Sequence, residues 1–64
     1  MVEQEYTIKG KNYSNVFVYT NTDDDDNPAV RIAIHIVGGS AATTISMESA
    51  KQMIKALQAI VEQA

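Results

Sequence analysis

Residues 29–37 read Ala29-Val30-Arg31-Ile32-Ala33-Ile34-His35-Ile36-Val37, and this stretch decides the fold. Val30, Ile32, Ile34 and Ile36 recur at every second position. An extended chain therefore puts all four on one face and Arg31, Ala33 and His35 on the other. Branched side chains favour that conformation because they pack well on a pleated surface. Pro28 in front cannot donate to a ladder, and Gly38-Gly39 behind ends the run. A strand over Ala29–Val37 follows.

Two more strands are expected upstream. Val2, Gln4, Tyr6 and Ile8 alternate with Glu3, Glu5 and Thr7, which predicts a half-buried strand over Val2–Ile8. Lys9-Gly10-Lys11-Asn12 supplies Gly and Asn for a tight hairpin. A second strand then runs over Tyr13–Thr20, with Val16 and Val18 on one side and Tyr13, Phe17 and Tyr19 on the other. Between it and the third strand lies Asn21–Pro28, an exposed acidic loop whose four adjacent aspartates repel one another.

Downstream, Thr43–Ser46 predicts a short fourth strand, and Ser46 has the chemistry of a helix N-cap with Glu48 in the first turn. From Met47 to about Gln63 the apolar residues Ala50, Ile54, Leu57, Val61 and Ala64 are spaced four and three apart, with Met53 and Ile60 widening the stripe. That is a sheet-packing helix more than a coiled-coil seam. The expected class is α+β: a three- to four-stranded antiparallel sheet with one C-terminal helix packed on one face, in two layers and one domain spanning residues 1–64. Ile54, Leu57 and Val61 are the expected cover for Val30, Ile32, Ile34 and Ile36.

Composition limits the function. A chain of 64 residues hides only about 60% of its unfolded surface when it folds, so its stability is marginal without a staple or a partner. There is no cysteine, so disulfides are excluded. The net charge of −3 disfavours nucleic acid and anionic lipid, both of which reward positive charge. The opening Met1-Val2-Glu3-Gln4-Glu5 has neither a basic nor an apolar region, so no secretory leader is expected and the cytoplasm is the expected location.

Four places in the chain carry residue types that can support chemistry. Asp23-Asp24-Asp25-Asp26-Asn27 fails as an EF-hand, because Pro28 and Ile34 stand where that loop needs Gly and Glu. His35 is the single histidine, so one chain cannot build a two-histidine metal site. Ser40, His35 and Asp26 offer the residue types of a hydrolytic triad without a nucleophile elbow. Gly38–Thr44 reads as a small, hydroxyl-rich connection to the helix, whose amides can hold an anion with Arg31 or His35 supplied by a neighbouring subunit.

The stronger signal is the second sheet face. If the valines of strand two join the isoleucines, then Tyr13, Phe17 and Tyr19 lie uncovered beside Arg31, Ala33 and His35. Tyr and Arg are enriched at interface centres, and such a patch exceeds what a monomer ordinarily exposes. In size, acidity, lack of cysteine and strands-then-helix order, the chain resembles many small accessory proteins of bacteriophages and mobile elements. That resemblance implies a stoichiometric inhibitor of host defence, which blocks a protein or sequesters a nucleotide.

The expected function is a non-enzymatic, homo-oligomeric binding protein that occupies a protein surface, without a cofactor or metal. The residues expected to bind a partner or a ligand are Tyr13, Phe17, Tyr19, Arg31, His35, Ser40 and Thr43. The alternatives are an oligomer that captures a small anionic ligand between subunits, and an acidic mimic of nucleic acid.

Overall fold

The structure is a computed structural model and describes residues 3–64. Strands β1 (Glu5–Lys9), β2 (Asn15–Thr22), β3 (Pro28–Ile36) and β4 (Gly39–Ser46) form one antiparallel sheet in the order β1-β2-β3-β4, followed by helix α1 (Met47–Gln63). The α+β class, the antiparallel sheet and the C-terminal helix in contact with it are as the sequence predicts. Val2, expected to open the first strand, lies outside the described residues.

Two strand starts differ from the expectation for local reasons. Strand β2 starts at Asn15 because Asn12 and Tyr13 both occupy the left-handed region, at φ 58 and 64, and turn the β1–β2 hairpin. The hairpin closes with the Gly10 amide donating to the Ser14 carbonyl at 2.9 Å and the Ser14 hydroxyl to the Lys11 carbonyl at 2.6 Å. Gly10 serves there by lacking a Cβ, which would strike the Ser14 side chain. Strand β4 starts at Gly39, four residues earlier than expected, because a two-residue turn at Val37-Gly38 (Gly38 φ 95) pairs Gly39 directly with Ile36. The pairing with β3 converts the expected loop into a strand.

Register assigns the faces. On one, Ile8, Val16, Ile34 and Ala41 form a row across the strands, as do Tyr6, Val18, Ile32 and Thr43, with Val30 and Ile45 beyond them. The other face carries the rows Glu5-Tyr19-Arg31-Thr44, Thr7-Phe17-Ala33-Ala42 and Lys9-Asn15-His35-Ser40. The valines do join the isoleucines.

The helix begins without a loop. Ser46 ends β4 and caps α1, its hydroxyl accepting from the Ser49 amide at 3.1 Å. Met47 lines a hollow of about 340 Å³ with Tyr6, Val18 and Val30 on the aliphatic face. Beyond that first contact the expected packing of stripe on sheet is not made. Ile54, Leu57 and Val61 are 54%, 56% and 70% exposed, and Ile34 and Ile36 of β3 are 45% and 57% exposed. Ala29 is the one buried apolar residue among those described.

Global dimensions agree. The chain exposes 5449 Å², where a compact monomer of its mass exposes about 4,000 Å². Its radius of gyration is 13.0 Å, against about 11 Å for a compact domain of this length. With no loop at the strand–helix junction, the helix cannot reverse over its own sheet, and two apolar surfaces stay open.

Candidate binding surface

The second face is built on the two central strands. Tyr19 and Arg31 are direct cross-strand partners, as are Phe17 and Ala33. Phe17 meets His35 on the diagonal in an edge-to-face pair, with ring centroids 4.9 Å apart at 75°. The Arg31 guanidinium donates to the Thr44 hydroxyl at 3.1 Å, and the Asn21 side-chain amide donates to the same oxygen at 3.2 Å. Phe17, Tyr19 and Arg31 are half-buried, and His35 is exposed. The result is a flat array of two aromatic rings, a guanidinium fixed by one hydrogen bond and an imidazole, on rigid strands. Such an array suits the broad, amphipathic contacts of a protein interface.

Of the residues expected to act together, Phe17, Tyr19, Arg31, His35 and Ser40 share this face. Tyr13 does not. It stands at the tip of the β1–β2 hairpin, 93% exposed, at the end of the sheet where Asn15, His35 and Ser40 pair. Thr43 pairs with Ile32 and so belongs to the aliphatic face.

The same register replaces the expected Gly38–Thr44 connection, and with it the loop on which the alternative of anion capture rests, by a strand. Ser40–Thr44 are strand residues paired with β3, so their amides lie in an extended edge strand and converge on nothing. The triad types are also separated: His35 and Ser40 are cross-strand partners, while Asp26 sits in the β2–β3 loop beyond the opposite end of β3.

The acidic loop is more ordered than four repelling charges suggest. One oxygen of Asp23, Oδ1, accepts from the backbone amides of Asp25 and Asn27, each at 2.9 Å. The Asp23 amide donates to the Asn27 carbonyl at 2.9 Å, and Asp26 takes φ 62 to close the loop. Hydrogen bonding from the Asn27 amide is the chief cause that holds the Asp23 carboxyl below its ordinary value, with desolvation opposing it and the Asp25 amide adding to it. Sequence reading missed this role, because a run of identical acids carries no mark of which one caps the turn.

Among the described residues, no helix is long and apolar enough to cross a membrane. No protein-family model, curated protein or solved structure matches the chain.

Proposed function

We propose that the protein is a non-enzymatic binding protein of the cytoplasm, which works as a homo-oligomer and acts by occupying the surface of another protein. The observation that carries this reading is the face of Phe17, Tyr19, Arg31 and His35, assembled in register on the two central strands. Aromatic rings and a guanidinium held on rigid strands bind with little loss of side-chain freedom, which favours a tight protein contact. Tyr13 extends the same end of the molecule as a projecting ring.

The test compares the wild-type protein with Tyr19→Ala and Arg31→Ala as baits in a host lysate, after matching their circular dichroism and mass in solution. The expected result is one protein retained in stoichiometric amount by the wild type and lost with both variants. Retention of no protein, together with a small molecule in native mass spectra of the purified chain, would overturn the reading in favour of ligand sequestration.

A further inference from the structure

Among the described residues, two apolar surfaces lack a cover, and they fit one another. The aliphatic sheet face offers Ile8, Val16, Ile34 and Ala41 across all four strands, with Ile36 at its far end. The helix offers Ile54, Leu57 and Val61 as a stripe. A helix of 17 residues is about 25 Å long, and the 9 residues of β3 extend about 30 Å.

The stripe and the face belong together chemically, yet the junction keeps them apart. Connections between a strand and a helix ordinarily use about two to six residues. Here Ser46 is at once the last strand residue and the helix cap, so no residue is left to reverse the chain.

We infer that a second copy of this chain covers the aliphatic face: helix α1 of each protomer lies on the Ile34-Ile36 face of its partner, in a reciprocally exchanged dimer. This deepens the homo-oligomeric reading above and rests on it. The area argues for the occupant. Each chain carries about 1,400 Å² more surface than a compact monomer of its mass. Burying that on both protomers gives about 2,800 Å², within the range of obligate homodimers, whose interfaces are apolar. A reciprocal exchange is closed by a two-fold axis, so both helices and both sheets are satisfied at once and no further copy is recruited. The aromatic face stays free for the partner proposed above.

Two sets of variants test it, read by sedimentation equilibrium and circular dichroism. Leu57→Glu and Ile34→Lys each place a charge in the exchanged contact, and each should weaken self-association by about a hundredfold or more. Mixed together they should associate again, because one contact in the heterodimer is then wild type and the other pairs opposite charges. The second set inserts Gly-Asn-Gly-Ser between Ile45 and Ser46. The longer hinge lets α1 return to its own sheet, and a folded monomer is expected.

The alternatives give different patterns. Dissociation by Leu57→Glu alone would mean helix-on-helix pairing, and dissociation by Ile34→Lys alone would mean sheet-on-sheet packing. Indifference to both would mean pairing through the uncharged β4 edge. Each overturns the exchange, as does an insertion variant that remains as dimeric as the wild type. A wild-type protein that sediments as a single chain at all concentrations would overturn the homo-oligomeric reading itself.

Discussion

Tyr13 holds φ 64 while its ring is almost wholly in solvent, so the backbone strain is unrelieved by packing. A left-handed L-residue costs about 1–2 kcal/mol, and Gly avoids that cost. Tyr13→Gly should raise the free energy of unfolding by about 1 kcal/mol, read from denaturant midpoints. If the ring is a contact residue, the same change weakens partner retention, so the fold gains what binding loses. At Asp23 the sign depends on pH. Its folded-state carboxyl titrates below the unfolded one, so its contribution is complete above the unfolded value and is lost as pH falls through the folded value. Asp23→Ala should lower the midpoint at neutral pH, with the gap to wild type closing under acid. Asp23→Asn keeps the Oδ1 acceptor and should sit between them. Asp24→Ala should leave the midpoint unchanged or raise it, since mutual repulsion is relieved.

Elements differ in how plainly the sequence announces them. The alternation from Val30 to Ile36 and the four-three spacing from Ala50 to Val61 carry their own periods, and both elements stand where those periods place them. Strand β4 has no such signal at its start. Gly39-Ser40-Ala41-Ala42 is small and featureless, and only the ladder with β3 makes it extended. The missed start is an instance of pairing overriding local propensity. The aromatic face was legible as a conditional, since alternation shows which residues share a side, and register then chooses the side. Tyr13 escaped it because tyrosine gives no hint of a positive φ. Ser46 was legible as a cap, and its removal tests the junction. Ser46→Ala should cost about 1 kcal/mol by loss of the bond to the Ser49 amide, and Ser46→Asp should restore it. Helicity and chemical denaturation read the two.

At the scale of the whole molecule, a single chain that buries only Ala29 among its described apolar residues has little core of its own, which is why we propose a second copy. The sequence displays the apolar stripes that must be covered, but a stripe does not say which copy covers it. That depends on the length of the connection, which here is nil. In the proposed dimer, stability is a property of the solution as well as of the chain. For a dimer, a tenfold rise in protein concentration should add about 1.4 kcal/mol to apparent stability. Thermal midpoints measured over a concentration series should climb accordingly, and a midpoint independent of concentration would contradict this.

Strand order in this sheet is chain order, each strand pairing with the one made just before it. Such contacts are close in sequence and form quickly during synthesis, because little loop entropy opposes them. No strand waits on the ribosome for a partner still to be translated, and the helix emerges only after all four are out. In the proposed exchange, where another copy supplies the helix, the Ile34-Ile36 face would stay bare from the pairing of β3 until a sister chain arrives. The length of that interval would then be set by how many chains the same message is producing side by side.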